Sequence, residues 1–160
     1  MMNAIIFYRL GHACYKKRIP LILMISKIFM FLVFNSVILY TAEIGKQSKF
    51  AYGGIGCVVH SRAVIGERVI IGQYTTIRRS LDPGDIPTIG NDVYISADER
   101  IIGNINVGNN VLIGANAVVN KDVPDNSIVA DAPAIVVKTI YTSVWDLLKN
   151  IEWEKNGTVK

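Results

Sequence analysis

The 160-residue chain carries two imidazoles, His12 and His60, and imidazole is the side chain whose ordinary titration lies closest to neutral pH. Such a group can take the proton from a hydroxyl that attacks an electrophile, provided it sits within hydrogen-bond reach. His12 lies in a helical, apolar stretch, AIIFYRLGHACYKKR, where a structural or surface role is expected. His60 follows Val59 and the glycine-rich run YGGIG, at a position where many sister segments carry glycine. It is the candidate base, and the competing reading is a solvated corner histidine. Cys14 and Cys57 make no disulfide framework and fit free thiols in a reducing compartment. Two cysteines and two histidines without ligand spacing predict no metal site.

A six-residue repeat must position these groups. Val59, Ile65, Ile71 and Ile77 are spaced by six, and the register resumes at Ile89, Ile95, Ile101, Val107, Ile113 and Val119. Glycine follows at 66, 72, 90, 108 and 114, and mostly small or apolar residues stand two positions before. A period of six fits neither a helix nor a simple hairpin. It predicts a mainly β fold, a parallel β-helix of triangular section, with one branched aliphatic pointing inward from each short strand and glycine easing each corner. Such a solenoid has open ends that need caps.

Residues 1–36 form the predicted N-terminal helical segment, with Pro20 at the start of a second helix. Residues 37–138 form the β-helix, and residues 139–160 a C-terminal helix and tail with Val144, Leu147, Leu148 and Ile151 on one face. The stretch from Leu21 to Leu39 is nearly long enough to span a bilayer, but Lys27 lies near its middle. A partner subunit or a membrane surface is its expected neighbour, the latter suggested by Lys16, Lys17 and Arg18. The apolar fraction of 51% excludes a disordered chain. A net charge of +4, without a basic stripe interleaved with aromatics, predicts no nucleic-acid partner.

The repeat resembles the left-handed β-helix of hexapeptide-repeat acyltransferases. The segments YRLGHACYKKRIP, AYGGIGCVVHSRAVIG, PTIGNDVYIS, IIGNINVGNNVLIGANAVVNKDVPDNS and APAIVVK resemble the serine acetyltransferase group, and within it the short members found among bacterial polysaccharide-synthesis enzymes. The resemblance implies a homotrimer that binds acetyl-CoA in clefts between neighbouring prisms and passes acetyl to a hydroxyl, with no metal. Ala97, Gly114 and Ala115 would let the pantetheine arm lie along the coils, and Lys121 and Lys138 would face the phosphates. The alternative for both lysines is ordinary surface charge.

This chain departs from the family pattern at three positions. Tyr52 stands where a histidine precedes the glycine pair, Val37 where a partner aspartate stands, and Ile86 where a second histidine lies. His60 is therefore expected to act as base from a shifted position with Tyr52 beside it, since a phenol is a poor base at neutral pH. The break RRSLDPGDIPT must leave the prism as a loop, in which Arg78, Arg79, Asp82 and Asp85 either bind a sugar or an acidic substrate or simply belong to a solvated loop with a turn at Pro83-Gly84. Glu99, charged where sister repeats are small or apolar, suggests a site or interface role, and Asp131-Ala132 replaces the family's Gly-Val.

The expected function is an acetyl-CoA-dependent O-acetyltransferase acting on a sugar hydroxyl in surface-polysaccharide synthesis, in the cytoplasm or at the inner face of its membrane. The alternatives are a serine O-acetyltransferase and a non-catalytic trimeric scaffold.

Overall fold

Asn3 caps the first helix, α1 (Ala4–Lys16), by accepting from the Ile5 N–H at 3.1 Å. Pro20 opens the second, α2 (Pro20–Phe34), where its missing donor costs least, and Asn35 ends it in the left-handed conformation. Among the described residues no helix is long and apolar enough to cross a membrane. The structure, a computed structural model, describes residues 2–82, 84 and 86–148. Pro83, Asp85 and Ile151, named above, lie outside them.

After the helices the chain winds as a left-handed parallel β-solenoid with three faces. The first face stacks Val37–Ile38, Val58–Val59, Thr76–Arg78, Arg100–Ile102 and Val118–Val119. The second stacks Glu43–Ile44, Val64–Ile65, Thr88–Ile89 and Asn106–Val107. The third runs from Lys49–Phe50 through Ile70–Ile71, Val93–Ile95 and Val111–Ile113 to Ser127–Ala130, and closes with the antiparallel strand Ile135–Thr139. All ten hexad positions are 3% exposed or less, and Ile38, Ile44 and Phe50 carry the inner column back by one further coil. Burying an unbroken run of Ile and Val is the main favourable term holding the coils.

The corner glycines act differently from the expectation of conformational freedom. Gly45, Gly66, Gly90 and Gly108 stack along the second edge, between faces two and three, and none has a positive φ. A Cβ on Gly66 would lie 2.5 Å from the Gly90 carbonyl oxygen, so their purpose is close approach of successive coils. The left-handed residues stand two positions later, at Gln47, Arg68, Asp92, Asn110 and Asn126 on this edge and at Tyr74, Asp98 and Asn116 on the third. Gly66→Ala is expected to cost about 1–3 kcal/mol by overpacking, read as a lower urea midpoint. An unchanged midpoint would mean that the coils part without penalty there.

Two insertions interrupt the winding. Residues 51–56 add three to the third edge, between faces three and one, and hold Tyr52 at φ 48° and ψ 34°. The described residues between Arg78 and Thr88 leave the first edge, between faces one and two, as a loop. At the far end the helix is short, α3 (Val144–Leu147), with Val144 buried. Leu147 is exposed rather than packed, a correction to the predicted apolar face. The helix is held by the Trp145 indole N–H, which donates to Asp92 at 3.0 Å while Asp92 pairs bidentately with Arg68.

Candidate active site

His60 sits half-buried on the first edge, directly after Val59, with its backbone N–H donating to the Ile77 carbonyl at 2.9 Å. The corner positions of this edge are Leu39, His60, Arg78, Ile102 and Asn120, so glycine is not used here, and His60 replaces none. Its Nδ1 accepts from the Arg62 backbone N–H at 3.2 Å, which leaves the proton of the neutral ring on Nε2. Burial first, then the charges of Arg62 and Arg79, holds its pKa below that of an ordinary imidazole. The ring is therefore held mainly neutral at pH 7, as a base must be. Arg62 escaped the sequence reading, although its place two residues beyond His60 was the available signal for the turn.

His12 is committed elsewhere. Its Nδ1–H donates to the Tyr40 carbonyl at 2.8 Å, and its ring stacks on Tyr8 at 5.6 Å, tying α1 to the first coil. Tyr8 in turn donates its hydroxyl to the Ala42 carbonyl.

The other expected site residues divide between two edges. Tyr52, 68% exposed, stands on the third edge, across the first face from His60. It acts on Tyr94, whose phenol is held above its ordinary pKa by burial first and then by Tyr52 and Glu99. Ala97, Gly114 and Ala115 gather on this third edge, in adjacent coils linked by the Asn116 N–H donating to the Ala97 carbonyl at 3.0 Å. A Cβ on Gly114 would lie 3.3 Å from that of Ala130, so the track is narrow as well as smooth. Lys138 lies exposed on the closing strand of the third face, whereas Lys121 is exposed on the first edge, on the side of His60. Val37 points outward beside Val58, and Ile86 packs against the core, so neither position supplies polar chemistry.

Glu99 has neither a site nor an interface role within the chain; it lies inside the prism with no exposed surface. The inward column on which it stands includes Cys57, Thr75 and Ala117. The Thr75 hydroxyl donates to the Gly72 carbonyl at 2.9 Å, and a carbonyl can only accept. The same hydroxyl lies 3.2 Å from Glu99 Oε2, the one side-chain hydrogen bond of that carboxyl among the described residues. Burial raises its pKa to about 7, and its Oε1 has no hydrogen-bond partner. The same burial pushes the Cys57 thiol up to about 12, which makes it inert.

No cluster of three or more His, Cys, Asp or Glu side chains able to hold a metal occurs among the described residues. No family model matches the chain. It is similar to a serine acetyltransferase of Staphylococcus epidermidis, with 31% identity over 180 residues that cover 99% of this chain and 83% of the relative. A serine acetyltransferase of Synechococcus elongatus is 32% identical over 137 residues, which cover 84% of this chain and 56% of that relative. Among solved structures, a serine acetyltransferase in complex with CoA superposes with a TM-score of 0.74 at 33% identity, covering 84% of this chain and 55% of that one. The Neisseria gonorrhoeae serine acetyltransferase in complex with serine gives 0.76 at 34% identity, covering 84% and 56%. The chain thus spans little more than half the length of several proteins it matches.

Proposed function

Because this chain belongs to the serine acetyltransferase family of hexapeptide-repeat acyltransferases, we propose that it transfers the acetyl group of acetyl-CoA to the hydroxyl of L-serine. The expectation of a sugar hydroxyl is corrected by these comparisons, since the curated relatives are serine acetyltransferases and one matched structure holds serine. The sugar expectation rested on a resemblance to short polysaccharide-synthesis members, and the departures at Tyr52, Val37 and Ile86 do not themselves select a sugar hydroxyl over that of serine.

The observation that carries the reading is the similarity over nearly the whole chain to serine acetyltransferases, one of them solved in complex with serine, together with the half-buried imidazole of His60 on the first edge. A carboxylate-bearing acceptor is recognised by a guanidinium such as that of Arg79, whereas a neutral sugar has no group to match it. With the carboxylate of serine held by the exposed Arg79, its hydroxyl comes to His60. The ring turns off the Arg62 N–H, presents a lone pair and takes the hydroxyl proton as the serine oxygen attacks the thioester carbonyl. The new C–O bond forms, the C–S bond breaks, and the imidazolium returns its proton to the departing CoA thiolate. Ala97, Gly114 and Ala115 accommodate the pantetheine arm, and Lys121 and Lys138 face the phosphates.

A single chain holds His60 and the small-residue track on opposite edges of one face, so the two meet when the first edge of one subunit faces the third edge of the next. That arrangement supports a closed homotrimer, and the exposed, adjacent Val37 and Val58 on the first face suit its interface. The two free cysteines support a cytoplasmic setting.

Steady-state kinetics of Arg79→Ala test the assignment. KM for L-serine is expected to rise about tenfold or more, the size of one lost charge-assisted hydrogen bond, with a smaller change in KM for acetyl-CoA. An unchanged KM for serine would remove Arg79 from the acceptor site.

A further inference from the structure

We infer that α2 and the basic turn before it dock this protein, lying flat, on an anionic lipid bilayer. α2 touches the rest of the chain along a narrow stripe that includes the buried Ser26, Met30 and Phe34. At ~100° per residue, the positions running from Phe31 through Ile28, Leu21, Leu32 and Ile25 to Val33 fill an arc of about 200°, and each is more than a third exposed. Leu21 is 63% and Leu32 74% exposed at the centre of that arc, and Lys27 lies outside it. An open groove of about 390 Å³ between α2 and the first coil, lined in part by Met24, Ile28 and Phe31, extends the same apolar surface inward with Lys27 beside it.

The charge around this face has one sign. Arg9, Lys16, Lys17, Arg18 and Lys27 precede the first acidic residue of the chain, Glu43. Arg9 is spent on the Ile44 and Gly45 carbonyls, and the other four cations are exposed. A second copy packed through this face would set cations against cations, and one helix covers a seam of only ~100°. An anionic bilayer satisfies both features, because the apolar arc enters the acyl boundary while the lysines and arginine meet the headgroups. The helix is too short to cross, so it lies in the interface. This docking does not depend on the identity of the acetyl acceptor.

Co-sedimentation of the full chain with phosphatidylcholine vesicles and with vesicles containing about a quarter phosphatidylglycerol tests it. Partition into the anionic vesicles is expected to exceed that into the neutral ones at least tenfold. It should fall at least tenfold in Leu21→Glu/Leu32→Glu, and again in Lys16→Glu/Lys17→Glu/Arg18→Glu, with thermal transitions kept because all five side chains are exposed. Equal partition into both vesicle types, or none by the unaltered protein, would overturn the inference. So would an unaltered protein that ignores vesicles and forms an assembly dispersed by Leu21→Glu/Leu32→Glu, which would make the face a self-interface.

Discussion

His60→Ala is expected to lower kcat/KM for L-serine by a factor of about 10²–10⁴, the range lost when a positioned proton acceptor is removed. His12 cannot substitute, because its ring is stacked on Tyr8 and bonded to Tyr40 on the helical side of the first coil. CoA binding should survive, since the Ala97, Gly114 and Ala115 track lies on the other edge of the face. The unaltered enzyme should gain kcat/KM with rising pH through a value below that of an ordinary imidazole and be level by pH 7, following the depressed His60 pKa. Parallel measurement of kcat/KM across pH 5–8 in both proteins checks this. A mutant as active as the original would place the base elsewhere.

Glu99→Gln should stabilise the fold at neutral and alkaline pH. Glu99 titrates at about 7 in the folded protein against 4.5 for an ordinary carboxyl, so the folded state holds a proton that the unfolded chain has released. Stability from this residue is full below pH 4.5, is lost as pH rises towards 7, and stays low above it. The difference amounts to ~3 kcal/mol, by the conversion of about 1.4 kcal/mol per pKa unit. Glutamine keeps the shape and can donate to Thr75 without ever carrying charge. Urea midpoints at pH 5 and pH 8 should therefore draw together in the mutant, with most of the gain at pH 8. An identical pH slope in both proteins would mean that Glu99 is already ionised inside the prism.

The fold was legible because a solenoid writes its geometry as a period. Every hexad position from Val59 to Val119 points inward, since each short strand has room for one central side chain. The earlier coil was harder to read, because the three-residue insertion at 51–56 breaks the spacing between Phe50 and Val59. The reason for the glycines was also hidden: close approach of Gly66 to Gly90 is a property of stacked coils, not of local sequence. The argument that singled out His60 was partly mistaken, since its edge has no glycine to replace. The influence of the Arg79 charge on the titration of His60 needed the structure, because Arg79 leaves the same edge one coil later. Tyr52, placed beside His60 by reading along the chain, stands across the face because the insertion belongs to the third edge. Glu99 stood out at once by its charge, yet only the structure reveals that it lies fully buried inside the prism, where desolvation raises its pKa to about 7.

The most direct test of the acetyl-transfer reading is release of free CoA thiol from acetyl-CoA by the purified full chain, measured with and without L-serine. Release that rises with serine concentration and saturates is the predicted result. A protein that binds CoA but releases no thiol in response to serine would contradict it.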